Sequence, residues 1–216
     1  MRGAPAHQGV IKLEPGEAIA LCQAAHRRLL SSLDGLEDAT ARRPSLLPGW
    51  SVGHVLTHVA RNADGHVRRL EGTLAGSEVA RYPGGQAQRE AEIEQGASRA
   101  AVELLADVRE SALRLEETWE RCQRASWPHR ELLAADRWAI SESPSRRLRE
   151  VEVHHVDLGL GYQVLDWPEE YVQWELHASL ERLPERLSDR GDARRFLAWL
   201  IGRAGWPEGL RLPPWL

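Results

Sequence analysis

Two stretches of the sequence carry imidazole and carboxylate side chains at helical spacing. His54 and His58 are four residues apart in SVGHVLTHVARNADG, and Glu150, His154 and Asp157 form a stripe in REVEVHHVDLG. Residues at i and i+4 lie on the same face of a helix, so pairs of this kind can hold one divalent metal ion. The same spacing also arises by chance, and a histidine on a helix flank is usually only packed or solvated.

Apolar residues flank both sets of polar side chains. On a helical wheel, one face of the helix that carries His54 and His58 contains Val52, Val55, Leu56, Val59, Ala63 and Leu70. The polar stripe that contains Glu150 and His154 runs between two apolar faces of its helix. One face consists of Leu148, Val151 and Leu158, and the other of Val153, Val156 and Leu160. A helix that is apolar on two sides is largely buried, so the stripe is predicted to point into the protein interior. Burying such groups without partners costs several kcal/mol, and a metal ion would satisfy them.

The wheel alone leaves several histidines open as ligands. His54, His66 and His155 compete with His58 and His154 for the same role, and neither spacing nor periodicity excludes them.

Four long segments have the composition and periodicity of helices. They cover residues 14–36, 52 to about 70, about 88–122, and a last segment that begins after Pro144 and ends at Gly159 and Gly161. Ser51 is a ready N-cap for the second segment, and Pro144 suits an early helix position. A connector of about twenty residues (126–145) joins the last two, and the loop around Tyr82-Pro83-Gly84-Gly85 precedes the third. Together they predict a mainly α protein built on a four-helix bundle.

The chain is predicted to contain one bundle domain and a small appendage. Residues 1–13 are expected to be a loose leader, because they are polar and Gly/Pro-rich and lack the apolar core of a signal peptide. Residues 14–162 form the predicted bundle. Residues 163–216 change character, with two shorter amphipathic segments and a Pro/Trp-rich end, and are predicted to be a small α or α/β subdomain.

Composition narrows the function classes. A formal net charge of −4 argues against a nucleic-acid-binding protein, which needs a basic patch. No run of about 18 apolar residues exists, so no membrane span is expected. Two cysteines in 216 residues are too few for a disulfide scaffold, which indicates the reducing cytoplasm. The sequence carries no indication of oligomeric state.

Long motifs resemble the mycothiol-dependent maleylpyruvate isomerase family, whose members are DinB-like four-helix bundles. The resemblance lies in LLPGWSVGHVLTHVARNADG, in RYPGG and in REVEVHHVDLGLGY, and covers about residues 46–167, with a weaker echo in RRFLAWLIGR. In that family one zinc ion is held by the histidine of H-V-A-R-N and by the E and H of E-x-x-x-H. The resemblance therefore implies His58, Glu150 and His154 as ligands, in preference to His54 and His155. The same donor set also suits iron or nickel.

The resemblance also implies the chemistry. Two histidines and one carboxylate leave a coordination position open, as in catalytic zinc sites. In the family this position is thought to bind the thiol of mycothiol, which a metal would deprotonate. The thiolate would add to an activated cis double bond, the bond would rotate, and elimination would give the trans isomer. The nucleophile is then on the cofactor, and no catalytic side chain is expected.

Arginine is the expected partner for the carboxylates of such a substrate. Arg89, after the glycine loop, and Arg203, at the end of LIGR, are the candidates on this chain. Family members usually carry a longer C-terminal domain, which would help to shape the substrate pocket. Because the C-terminal segment of this chain is shorter, the resemblance implies the metal site more closely than the exact substrate.

Three functions are compatible with these features. The first is a zinc- and mycothiol-dependent cis–trans isomerase of a maleylpyruvate-like unsaturated acid. The second is a mycothiol S-transferase that acts on an electrophilic small molecule. The third is a non-catalytic metal-binding bundle that senses or binds a partner.

Overall fold

The computed structural model describes residues 13–128, 138–187, 189–206 and 208–209, and this part of the chain is helical with no strand. The α-helices are α1 (Pro15–Ser32), α2 (Asp38–Ala41), α3 (Val52–Leu74), α4 (Gly85–Ala97), α5 (Ala101–Arg124), α6 (Ser143–Asp157), α7 (Glu169–Arg186) and α8 (Arg190–Leu200). The prediction of a mainly α fold is confirmed. Among the described residues the C-terminal segment is α rather than α/β.

Four helices form the bundle of the first compact unit, residues 13–168. α3 packs against α5, α5 against α1, α1 against α6, and α6 against α3, which closes a ring of four helices. α4 packs on α3 from outside this ring. The polar residues of α3 and α6 therefore meet at one seam of the bundle.

The α3 helix begins and packs as its sequence predicts. The Ser51 hydroxyl accepts a hydrogen bond from the backbone N–H of His54, which satisfies one of the free donors at the helix start. All six residues of the predicted apolar face are buried. Burial of apolar surface stabilises a fold by about 25 cal/mol per Å², so this face anchors α3 in the bundle.

The α6 helix confirms one predicted apolar face and corrects the other. Pro144 lies in its first turn, and Gly159, just past its end, has a φ of +66° that favours glycine. Leu148, Val151 and Leu158 are buried, whereas Val153, Val156 and Leu160 are only half-buried. The prediction that α6 buries two apolar faces is therefore wrong.

A polar side chain of α6 that the wheel assigned to neither apolar face is also buried. Glu152 is buried because it receives hydrogen bonds from the Arg28 guanidinium of α1 and from the Tyr162 hydroxyl, the latter at 2.6 Å. Partners from distant parts of the chain make this burial tolerable.

The predicted third helix is two helices, α4 and α5, so the expectation of one helix over 88–122 is wrong. Gly53 of α3 lies so close to the end of α4 that a Cβ there would come within 2.2 Å of the Ala97 carbonyl oxygen. The Asp38 carboxylate accepts a hydrogen bond at 2.7 Å from the Ala101 backbone N–H, at the start of α5. Both tertiary contacts favour a break that local helix propensity cannot reveal.

The second compact unit contains the residues from Glu169 onward. In its α7 helix the rings of Tyr171 and Trp174 lie 6.3 Å apart, and Trp199 of α8 meets Trp206 edge-on at 4.7 Å. The predicted division at 162/163 stays a prediction. Residues 1–12 of the predicted leader (1–13) lie outside the described part of the chain, as do residues 129–137 of the predicted connector. None of the helices described is long and apolar enough to cross a membrane.

Candidate metal centre

Three side chains meet where α3 and α6 cross. His58 Nε2 lies 3.2 Å from Glu150 Oε2, and His154 Nε2 lies 3.5 Å from the same oxygen. The three potential ligand atoms all lie within 4.8 Å of one another, and no other such cluster of three occurs in the described part of the chain. His58 comes from α3, while Glu150 and His154 are one turn apart on α6. We refer to these three residues as the triad.

The dimensions of the triad fit a tetrahedral divalent ion. Two ligand atoms at about 2.1 Å from one such ion lie about 3.4 Å apart, close to the two separations observed here. His154 is fully buried, and its Nε2 makes no hydrogen bond. An unsatisfied nitrogen of this kind is costly in the interior, and a metal ion would satisfy it. Two imidazoles and one carboxylate are ligands that zinc, iron and nickel accept.

Burial and mutual contacts shift the pKa of each member of the triad. Burial lowers the pKa of His58 to about 4, although the Glu150 carboxylate opposes this change. Burial alone would raise the pKa of Glu150, but the adjacent imidazoles of His154 and His58 hold it well below its ordinary value. Glu150 is therefore ionised and His58 neutral at pH 7, the protonation states that metal ligands need.

Acidic and basic side chains surround the triad. His154 Nδ1 lies 2.9 Å from Asp157 Oδ2, an orientation typical of histidines that bind metals through the other ring nitrogen. Burial would lower the pKa of His154, but the carboxylates of Asp157 and Glu150 raise it above its ordinary value. Arg89 of α4 places Nη2 3.2 Å from His58 Nδ1, so the arginine predicted from the glycine loop lies beside the triad.

The other histidines that the sequence left open as metal ligands have other contacts. His54 Nδ1 lies 2.7 Å from Ser51 Oγ, and its Nε2 lies 3.2 Å from a Glu94 carboxylate oxygen. His155 stacks on Tyr162 with ring centroids 3.8 Å apart, and its Nε2 lies 2.8 Å from Ser32 Oγ. His66 Nδ1 lies 2.8 Å from Ser143 Oγ, two turns along α3 from His58.

One predicted arginine, Arg203, belongs to the second compact unit, and the structure reveals two polar residues of the first unit to which the sequence analysis gave no role. Arg203 is exposed in the turn after α8, within the second compact unit. Arg147 of α6 is fully buried three residues before Glu150, and Tyr82 has a buried hydroxyl without a partner. For Arg147, its position one turn from Glu150 was the available signal. For Tyr82, the sequence offers none beyond its place beside the glycine loop.

Comparisons with known proteins agree with the helical bundle. The family model for the mycothiol maleylpyruvate isomerase N-terminal domain matches residues 22–159, a range that contains the whole triad. A crystal structure of the mycothiol-dependent maleylpyruvate isomerase is 29% identical, covers 75% of this chain and 68% of that chain, and has a TM-score of 0.69. A histidine-to-alanine variant of such an enzyme matches at 28% identity with the same coverage and TM-score. No curated protein gave a match.

Proposed function

Because the chain belongs to the mycothiol maleylpyruvate isomerase N-terminal domain family, we propose that it is a metal-dependent enzyme that uses mycothiol to convert a maleylpyruvate-like unsaturated acid from cis to trans. The observation that carries this proposal is the triad of His58, Glu150 and His154, with ligand separations that suit one tetrahedral ion. The DinB-like bundle supplies the rigid support, since each ligand lies on a helix packed on two sides.

The proposed role of each residue follows from its contacts. His58, Glu150 and His154 would hold zinc or another divalent ion, and Asp157 would orient His154 through its Nδ1. A metal-bound thiol is deprotonated, so the ion and mycothiol together would supply a nucleophile at neutral pH. Arg89, beside His58, would attract a substrate carboxylate, and Arg203 is proposed as a second cation for the same substrate.

Turnover with maleylpyruvate tests the proposed activity. We expect trans product, followed by NMR, only when mycothiol is present and the protein carries metal. Removal of the metal with a chelator should stop turnover, and added zinc should restore it. A stable adduct between mycothiol and an electrophile, without isomerisation, would instead identify an S-transferase. Metal-loaded protein that turns over neither substrate would contradict an enzymatic role and favour a binding function.

Metal affinity should fall as the pH decreases, and the onset should lie above pH 6.5. His154 must lose its proton to bind metal, and its pKa is raised above the ordinary 6.5. His58, with a pKa of about 4, should impose no further cost until the solution is much more acidic. Below the pKa of His154, the apparent affinity should drop by about tenfold per pH unit, since one proton is displaced. Competition with a chromophoric chelator between pH 5 and 8 measures this slope, and a flat profile would contradict it.

Neither cysteine of the chain should be the nucleophile. Cys22 is fully buried, and burial raises its pKa far above the ordinary value, while burial raises the pKa of Cys122 to about 11. Both thiols are therefore protonated at neutral pH and unreactive. A Cys22→Ala/Cys122→Ala double variant should keep its metal and its mycothiol-dependent turnover within about a factor of three, because the expected cost is only packing. If turnover disappears while fold and metal are intact, the reacting thiol is internal.

A further inference from the structure

Arg147 is a buried cation without an anionic partner in the middle of the bundle. Its side chain is fully buried, and no carboxylate oxygen of the described residues forms an ion pair with it. A buried charge is costly unless it is paired, by several kcal/mol in real proteins. Burial accordingly lowers the pKa of Arg147, and the negative charge of Glu150 is among the influences that oppose that change.

Neutral groups occupy three of the five N–H donors of this guanidinium. Nε donates to His26 Nε2 at 3.2 Å, and Nη1 donates to the Val59 carbonyl at 2.8 Å and to Asn62 Oδ1 at 2.9 Å. His26 is neutral at pH 7 because burial lowers its pKa to about 4. The remaining nitrogen, Nη2, is buried and has no partner. The guanidinium is thus fixed in place with two N–H groups left to donate.

A second buried donor without a partner packs on α3, the helix that Arg147 contacts through Val59 and Asn62. The Tyr82 hydroxyl is buried and makes no hydrogen bond, and burial raises its pKa, so it remains a protonated donor. Its ring packs on α3 at Gly65, where a Cβ would lie 3.7 Å from Tyr82 Cζ. Gly65 is three residues after Asn62, the residue that Arg147 contacts. Both donors therefore border the same stretch of α3.

We refer to Arg147 and Tyr82 as the donor layer, whose contacts on α3 at Asn62 and Gly65 follow His58 by about one and two helical turns. On α3, Asn62 follows His58 by four residues, and on α6, Arg147 precedes Glu150 by three, so each spacing is about one helical turn. The triad presents two imidazoles and a carboxylate, which suit a cation. The adjacent layer presents a guanidinium and a phenol hydroxyl, which suit an anion with two acceptor oxygens.

We propose that Arg147 and Tyr82 form a carboxylate-binding subsite beside the triad, and that it takes one carboxylate of the unsaturated acid substrate. This proposal rests on the proposed function for the identity of the substrate. The carboxylate supplies the counter-ion that Arg147 lacks and accepts a hydrogen bond from the Tyr82 hydroxyl. A dicarboxylate is then preferred over a monocarboxylate of the same shape.

The test uses metal-loaded protein without mycothiol, so that no turnover occurs, and titrates maleate by calorimetry. Tyr82→Phe removes only the hydroxyl, which has no protein partner, so the fold should be kept. We expect its Kd for maleate to rise about tenfold, and that of Arg147→Lys to rise at least as much. Isocrotonate, a cis monocarboxylate, should bind the parent more weakly than maleate, and Tyr82→Phe should remove most of that difference.

Tyr162→Phe is the matched control, because the Tyr162 hydroxyl donates to Glu152 and is not part of the proposed subsite. Its Kd for maleate should stay within about twofold of the parent value. An unchanged maleate Kd in Tyr82→Phe, or a parent protein that does not bind maleate, would overturn the subsite. A lower Tm in Tyr82→Phe with the Kd unchanged would overturn it too, since it would show that the hydroxyl serves a buried water only.

The outcome for this subsite is separable from that for the proposed function. If Tyr82→Phe weakens maleate binding but the parent does not isomerise maleylpyruvate, the subsite stands and the isomerase proposal fails. If the parent isomerises maleylpyruvate and Tyr82→Phe binds maleate as the parent does, the subsite alone fails.

Discussion

Replacement of His58, Glu150 or His154 by alanine is expected to abolish stoichiometric metal binding. Each side chain would contribute one of three ligands, and a two-ligand site holds a divalent ion far more weakly. The loss of affinity should exceed the roughly 10–100-fold that changes in the outer shell of a metal site typically cause. Elemental analysis of the purified variants measures bound metal, and the mycothiol-dependent turnover should fall with it. A His154→Ala variant that retains one metal per chain would contradict the assignment.

Two histidines next to the triad serve as matched controls. His54 lies one turn before His58 on α3, and His155 follows His154 on α6, so His54→Ala and His155→Ala are the control variants. The structure gives both side chains other contacts, His54 with Ser51 and His155 with Ser32. Both variants should therefore keep their metal. His54→Ala and His155→Ala should lower the Tm instead, by an amount set by the lost capping and stacking contacts.

Periodicity predicted the positions of the buried apolar residues on α3 because apolar side chains need no specific partner to be buried. All six predicted residues are buried, and Ser51 caps the helix as its position indicates. The same reasoning failed on α6, where Val153, Val156 and Leu160 are only half-buried and the polar residues Glu152 and Arg147 are buried. Glu152 pairs with Arg28, 124 residues earlier in the chain, and no local pattern shows that such a partner exists.

The choice among the histidines also depended on information outside the helical wheel. Spacing alone did not exclude His54 in favour of His58, nor His155 in favour of His154. Family motifs favoured His58 and His154, and the structure brings these two together with Glu150. His54 instead joins the cap at the start of α3, and His155 stacks on Tyr162. Both contacts depend on how the chain turns before α3 and after α6, which the pattern of apolar residues does not specify.

The break between α4 and α5 has a similar cause. The sequence from 88 to 122 is rich in good helix formers, so propensity predicts one continuous helix. In the structure, the close approach of Gly53 to Ala97 and the hydrogen bond from Ala101 to Asp38 lie on either side of the break. The break has a consequence for the site, because α4 then packs on α3 and places Arg89 beside His58.

Arg89→Lys and Arg203→Lys are each expected to lower kcat/KM for the unsaturated acid by about ten- to a hundredfold, roughly 1.4–2.7 kcal/mol, with metal content unchanged. A diacid that develops further negative charge during isomerisation needs a fixed cation, and arginine binds a carboxylate through two parallel N–H groups where lysine cannot. Arg89 lies beside His58 on the packed α4 helix, so its guanidinium is held close to the triad. Steady-state kinetics with saturating mycothiol and varied acid measure the loss.

Arg109→Lys is the matched control for this charge-conserving change. Arg109 is exposed on α5, so its replacement should leave kcat/KM within about twofold of the parent value. If the losses in Arg89→Lys appear in KM alone, the arginine binds substrate and transition state equally, whereas a loss in kcat indicates that it stabilises the developing charge. If Arg89→Lys and Arg203→Lys both match the parent, the carboxylates are held elsewhere or the substrate is not a diacid. In the second case the S-transferase activity becomes the better explanation for a triad that binds metal and thiol.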